Sequence, residues 1–508
     1  MKSSALIYCL CFYLILAGSA IAQIAQPERF ELEVGNDVGF VVAPAAESGI
    51  FLFREIENTY SSTDNLWEVY LLDTTLNITW RREYFINPNF INISHLFIDG
   101  KLHLLFSSKK QGDRSLSLVS FSAISGEVSN YSIRNFIPFA FFDFKMINNT
   151  VIIGGYFNYR PLVVLYNLEE QIPRVLPGFF NDRAQLIEMK VNDNNTFDII
   201  LSGPSEEKNT TLFINTFDKF GNLLKKISLD SDRSKSLLFG RAETLENQNQ
   251  LVAGVYGRRR SEYSRGVFVA NVNPYGEQKI KYYNYAELEN FFNYMKARRE
   301  KRVISRIERK KIKNKKIKFN YRLLVHELIS HEDQYILLGE AFYPKYKTIT
   351  GNGGLFSSGW ALNRGLHNSS IVFDGYRYTH AIILGFDKQG NLLWDNSFEI
   401  NDVVSFELEQ FVHVNASGDR VDLLYVFEDA IRSKTIKGSQ VLEGKEENKV
   451  RLKYDSDKIE DKNTKISGLN KWYGDVFLTY GTQTIQNLRT EGVGLSRKVF
   501  FVNKVLFE

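Results

Sequence analysis

Two histidines bracket an acid in His326-Glu327-Leu328-Ile329-Ser330-His331, the residue types that a zinc-dependent hydrolase uses. That chemistry needs H-E-x-x-H on a helix, so that both imidazoles share one face. Here the spacing is one residue too long, and the segment alternates like a strand, which would turn the two rings to opposite faces. Asp455-Ser456-Asp457 opens like a calcium loop, but Ile459 stands where a third oxygen ligand belongs; the segment reads as a solvated turn. Neither a G-x-S-x-G elbow nor a G-x-x-x-x-G-K-[ST] loop occurs, and Gly351-Asn352-Gly353-Gly354 follows no strand-to-helix pattern that would cradle a phosphate. These residues therefore give no catalytic assignment, no cofactor and no metal. Carboxylates converging from distant segments, as glycosidic chemistry would use, leave no linear signature.

The compartment is read from the first residues. Lys2 supplies a positive start, residues 5–17 an apolar stretch, and Ala20-Ile21-Ala22 a cleavage signal, so 1–22 reads as a signal peptide with the mature chain starting at Gln23. No later segment reaches the ~18 to 20 apolar residues of a membrane span. Both cysteines, Cys9 and Cys11, lie inside the leader, leaving no disulfide, thiol nucleophile or thiolate ligand. A large exported chain without cysteine points to a bacterial envelope, and the expectation is the periplasm or outer-membrane surface of a Gram-negative cell.

Charge is concentrated in one place. Residues 296–318 carry thirteen Lys or Arg against Glu300 and Glu308, a net of +11 in a chain whose total is +4, which leaves the remainder at −7. So dense a run is costly through mutual repulsion. An acidic partner or anionic headgroups would relieve that repulsion. An exported protein rarely meets nucleic acid, and none is expected as a ligand.

The elements that must position these residues repeat. Residues 211–229 and 381–400 share F-D-K-x-G-N-L-L, in which Asp and Gly-Asn close a hairpin between alternating strands. Weaker copies run through 68–84, 115–133, 162–176 and 266–285. Each hairpin pairs with two preceding strands, in 38–54, 93–107, 142–156, 186–203, 237–257, 321–340, 409–427 and 466–481. The fold class is therefore all-β, an eight-bladed β-propeller, with seven blades as the alternative. Residues 23–508 form one domain. The last unit lacks a strand, and the orphan strand at 29–34 is expected to complete it and remove the open edges.

Two long connections interrupt the repeat, at 285–320 and 343–378. The first joins the fifth blade to the sixth, and the second lies between strands b and c of the sixth, counting outward from the axis. Antiparallel strands put b–c and d–a connections on one face, so the two insertions should be neighbours. The first begins with a helix pattern: Asn284 caps, Glu287 sits in the capping-box position, and Leu288, Phe291, Phe292 and Met295 fall at i, i+3, i+4, i+7. Past Met295 the stripe lapses at Arg299 and resumes at Val303, Ile304 and Ile307. The second is a Gly-rich loop whose return arm, 374–380, is ordered by aromatic packing.

The hairpin Phe386-Asp387-Lys388-Gln389-Gly390-Asn391-Leu392-Leu393-Trp394 resembles the blade signature of quinoprotein-type eight-bladed propellers, a group that includes the propeller subunit of the outer-membrane β-barrel assembly machinery. The resemblance implies that Trp394, and Trp80 with it, docks one blade on the next; the copy at 211–229 has Lys225 there. The vicinal cysteines of quinone dehydrogenases and the lipobox cysteine of the assembly subunit are absent. The chain is also similar to exported propellers of Bacteroidota.

The expected function is a non-catalytic envelope scaffold. Its partner is an envelope protein, in the setting of an outer-membrane complex, with anionic lipid headgroups or polysaccharide as other contacts. The expected binding residues are Arg298, Arg299, Arg302, Arg306, Arg309, Lys310 and Lys311 on the first insertion and Trp360, Tyr376, Arg377 and Tyr378 on the second. The alternative is a carbohydrate-binding or carbohydrate-active propeller stacking sugars on Trp360, Tyr376 and Tyr378.

Overall fold

Turn chemistry sets the repeat. Asp218 Oδ1 accepts the N–H groups of Phe220 and Asn222, and Asp387 Oδ1 those of Gln389 and Asn391. Gly221 and Gly390 then take φ of +84° and +72°, the left-handed region that a Cβ disfavours. The D-x-x-G-N sequence thus reverses the chain at a fixed register. Asn273 with Gly276 builds the same turn, and at Asp73 it is built with Leu76, a buried side chain at φ +62°. A leucine in the glycine's place is why that copy is faint in the sequence.

The structure, a computed structural model, describes residues 24–35, 39–56, 64–110, 113–133, 140–177, 184–245, 249–350, 369–460, 465–487, 489–490 and 494–507. The signal peptide expected at 1–22 and Trp360, with the glycine-rich stretch around it, lie outside them. The described strands form eight antiparallel sheets of four or more strands, one per blade, so the fold has eight blades and the seven-bladed alternative falls. The first blade is Val41–Pro44, Ile50–Ile56, Asn65–Leu72 and Ile78–Ile86. Later blades open with Phe90–Ile98, Ala140–Ile147, Gln185–Val191, Lys235–Thr244, Arg322–His331, His413–Ser417 and Lys465–Lys471.

The eighth blade is built from both ends of the chain. Arg29–Glu33 pairs antiparallel with Ser496–Phe507, Arg29 opposite Asn503 and Glu33 opposite Val499. Side chains lock the seam: Arg29 meets Glu31 at 2.7 Å, and Arg497 reaches Glu31 at 3.2 Å and Asp457 at 2.7 Å. Asp457 is thus not a solvated turn residue. It is 7% exposed and takes further bonds from Asn487 and the Tyr454 N–H. Burial works against its ionisation, but the bonds from Arg497, Asn487 and Tyr454 outweigh it and hold the carboxyl below its ordinary range.

The apolar core lies between blades rather than within any one of them. One cluster joins Ile336, Leu338 and Trp394 of the sixth blade to Val414, Leu423 and Ile436 of the seventh. Trp394 packs against Gly438, Trp80 donates to the Ala123 carbonyl at 3.1 Å, and Lys225 reaches the Asn273 carbonyl at 3.2 Å. Each contact runs from an outer strand to the c–d turn of the following blade. Tryptophan and lysine make the same joint with different chemistry.

Six inner strands carry a β-bulge, at Asn92/Ser94, Phe141/Asp143, Leu186/Glu188, Leu237/Phe239, Val325/Glu327 and Ile466/Gly468. A bulge re-aims the side chains beside it. At the sixth blade this corrects the opposite-face expectation for the two histidines. His326 meets Glu340, whose carboxylate also accepts the N–H groups of Phe411 and Val412, and His331 bonds the Gly418 carbonyl. Both imidazoles turn toward the seventh blade, each on its own partner. Among the described residues no three His, Cys, Asp or Glu side chains are grouped to hold a metal ion.

Candidate functional site

The first insertion leaves the fifth blade at Gln278–Asn284. Its capping box closes: the Asn284 N–H donates to Glu287 Oε2 and the Ala286 N–H to Asn284 Oδ1. The helix expected from there does not follow, because the Glu289 and Asn290 N–H groups donate instead to the carboxylate of Asp395, at 2.9 and 2.7 Å. Asp395 comes from Leu392–Glu399, the outer strand of the sixth blade, and is 3% exposed. Ser397 Oγ adds a bond to the Asn290 carbonyl. Residues 285–295 are turns, and Leu288, Phe291 and Phe292 are buried with Tyr285 and Tyr321 around them. The apolar spacing located the docking residues but not their conformation.

The helix starts later, at Ala297–Ile312. Ile307 is buried and Val303 packs beside it, while Arg298, Arg299, Arg302, Arg306, Arg309 and Lys311 are exposed and Lys310 is half-buried. Glu300 in the first turn and Arg309, Lys310 and Lys311 in the last suit the helix dipole. None of the thirteen cations of 296–318 makes an ion pair among the described residues.

The described part of the second insertion is a two-stranded ribbon that continues strands b and c of the sixth blade, Gln334–Thr350 and Ser369–Asp387, with Pro344 opposite Tyr376 and Thr350 opposite Ser369. Val404–Ser405 pairs with its return arm. Where the ribbon leaves the blade it meets the first insertion, and between them lies a cleft of 720 Å³. Tyr294, Lys296, Arg299, Tyr321 and Arg322 come from one side of it. Phe342, Tyr343, Arg377 and Tyr378 come from the other, with Tyr263 and Glu399 at its margins.

One wall is built on His380. Its ring is buried and stacks on Tyr294 at 3.6 Å and 4°, with Phe291 and Tyr321 edge-on. Burial pushes its pKa down to about 3, so the ring is neutral at physiological pH. Thr379 Oγ1 donates to the Ala341 carbonyl and so is left to accept a hydrogen bond from His380 Nδ1 at 2.9 Å. Burial also raises the Tyr294 and Tyr321 hydroxyls, which share a hydrogen bond of 3.3 Å.

Apart from Tyr376, the expected binding residues divide into three groups. Arg299, Arg377 and Tyr378 converge on the cleft. Arg298, Arg302, Arg306, Arg309, Lys310 and Lys311 line the helix away from it. Trp360 lies outside the described residues. Tyr378 is 1% exposed and bonds both the carbonyl and the N–H of Glu409, so it is the cleft floor and not a stacking surface. Tyr376 is held between Phe342 and Phe373. The rings that can stack are Tyr263 and Tyr343, each 45% exposed. Sequence reasoning missed Tyr263, although it lies in a b–c connection and the one-face rule covers it.

A second concavity, of 470 Å³, lies where the inner strands of blades two to six converge. Two ion pairs cross it, Lys190 with Glu243 at 2.5 Å and Arg241 with Glu188 at 3.1 Å, and Glu327 accepts a hydrogen bond from the Gln410 amide at 3.0 Å. These carboxylates come from three blades, which is why no linear motif shows them.

The fold and cleft define the class of the protein: an eight-bladed β-propeller, closed by its N-terminal strand, with two insertions sharing one face. No protein-family model matches the sequence, and no curated protein does. Among solved structures, the polysaccharide lyase Uly1 aligns over 95% of this chain and 100% of its own, with 9% identity and a TM-score of 0.41. The Dos1 propeller aligns over 80% of this chain and 89% of its own, with 10% identity and a TM-score of 0.39. The propeller domain of the Trilobed protease from Pyrococcus furiosus covers 80% and 97%, with 7% identity and a TM-score of 0.37. Among the described residues no helix is long and apolar enough to cross a membrane.

Proposed function

We propose that this protein is an exported envelope scaffold that holds an acidic protein partner on the face over its fifth and sixth blades. The observation that carries the reading is the cleft itself. Two insertions separated in sequence by two inner strands meet in one concavity, with Lys296, Arg299, Arg322 and Arg377 among tyrosines, and beside it runs a helix whose cations make no ion pair among the described residues. Tyrosine and arginine at the centre of a contact, with charge around it, is the composition of a protein interface. A rigid propeller gives such a face a fixed geometry. The expected leader, and the absence of cysteine beyond it, support the envelope as its setting.

The test is capture from solubilised Gram-negative envelopes followed by mass spectrometry, comparing the parent with Arg302→Glu/Arg306→Glu/Arg309→Glu. The scaffold reading expects one acidic partner to be enriched by the parent, lost with the variant, and released by salt, since exposed charges act within a Debye length of ~8 Å. Identical recovery by both proteins at every salt concentration would sink the reading. Tyr263 and Tyr343 at the cleft margin favour carbohydrate as the second reading, and saturable glycan-array binding lost in Tyr343→Ala would promote it.

A further inference from the structure

The same helix borders a second cleft of different chemistry. Past Ile312 the chain returns along the fifth blade, and this segment encloses a concavity of 600 Å³ against the ends of that blade's strands. Lys311 on the last turn of the helix and Lys315, Lys316 and Lys318 on the return segment line it, and Arg258 and Arg265 line it from the blade. None of the six makes an ion pair among the described residues. Lys235, also at the cleft, is paired with Asp232, and Glu287, the acid among the lining residues, accepts the Asn284 N–H.

The segment is not a loose basic tail. Ile317 and Phe319 pack into the core beneath it, Phe319 against Phe292 with ring centroids 4.8 Å apart. Tyr321 then exchanges backbone hydrogen bonds with Ser264. Anchoring alternate residues fixes Lys316 and Lys318 between them at the mouth of the cleft. The helix end does not oppose an anion strongly, because the carbonyls of Lys310 and Lys311 are taken by the N–H groups of Lys315 and Asn314.

We propose that this cleft binds a saccharide-sized polyanion bearing several phosphate or sulfate esters. Six cations around one concavity repel one another unless an anion enters. Arginine pairs an ester oxygen two-pronged while lysine supplies point charge. A nucleic-acid strand is disfavoured because its bases need exposed rings to stack on; the ring at this cleft, Tyr256, is buried edge-on against Tyr282. The site does not depend on the scaffold reading, which concerns the cleft over the sixth blade.

The experiment is calorimetric titration of the full chain at physiological salt with inositol hexakisphosphate and, separately, sucrose octasulfate. Flotation with phosphoinositide-containing vesicles shows whether an ester on a membrane headgroup also enters. One equivalent of either soluble probe should bind. Affinity should fall roughly tenfold or more in Arg258→Gln/Lys315→Gln/Lys316→Gln, as loss of charge-assisted bonds implies, and change little in Arg302→Glu/Arg306→Glu/Arg309→Glu. All three residues of the first variant are exposed, and an unchanged melting temperature checks its fold. Absence of saturable binding by either probe, or equal loss in both variants, would overturn the proposal, the latter by showing a diffuse cationic surface rather than a site.

Discussion

Asp395 shapes the first insertion. Its carboxylate holds two backbone N–H groups that would otherwise start a helix, and burial raises its pKa while the bonds from Asn290 and Glu289 oppose the rise. Asp395→Ala takes the acceptor from both donors, at a cost of about 1 to 3 kcal/mol. A lower melting temperature and faster proteolysis within 285–296 are expected; a protease pattern identical to the parent would show that the apolar anchors alone hold the turn. The sequence contained each participant but not the pairing, since a capping box and an i, i+3, i+4, i+7 stripe describe a helix unless a residue from another blade intervenes. Asp457 offers a pH test. Its folded pKa is depressed, so its contribution is fully present above the ordinary carboxyl value and fades as pH falls through the lower folded one. Asp457→Asn should cost roughly 3 kcal/mol near neutrality, as removing one partner of a buried pair does. The gap in melting temperature between parent and variant should narrow once pH drops below the ordinary carboxyl range; a constant gap would remove ionisation from the account.

At the scale of elements, the hairpins were legible wherever Asp or Asn and Gly stand in the c–d turn, because local bonds decide that conformation. The orphan strand was legible for a different reason: an alternating segment beside an incomplete last unit has one low-cost partner. Deleting Arg29–Glu33 removes its pairing with Ser496–Phe507 and strands Arg497 beside Asp457 without Glu31. Several kcal/mol should be lost on the ~5 to 15 that keeps a domain folded. Thermal melts and light scattering would show a sharply lower transition with aggregation; an unchanged transition would mean that the seam does not hold the ring. The inner-strand bulges left no trace in the pattern of residues, since two residues facing one is a property of the pair and not of either strand. That is why the histidines of 326–331 were assigned to opposite faces.

For the whole molecule, charge and topology together made legible the face that the two insertions share. The run of thirteen cations could be counted, and the blade order put its neighbour on the same side, but which rings stay exposed depended on packing. Tyr378 is the floor and Tyr263 the rim, a distinction that burial makes and composition does not. The two basic clefts flank the ends of one helix, with exposed tyrosines at the cleft of Lys296 and Arg299 and a cluster of cations at that of Lys311. Under the two proposals one face thus holds a protein partner at the sixth blade and a small polyanion at the fifth. The most direct test of the scaffold claim is amide hydrogen exchange of the protein with and without its captured partner. Slowed exchange is expected at 294–299, 341–344 and 376–379, with the inner strands of blades two to four unchanged. Protection confined to the central concavity or to the opposite face, with these three segments unaffected, would contradict the account.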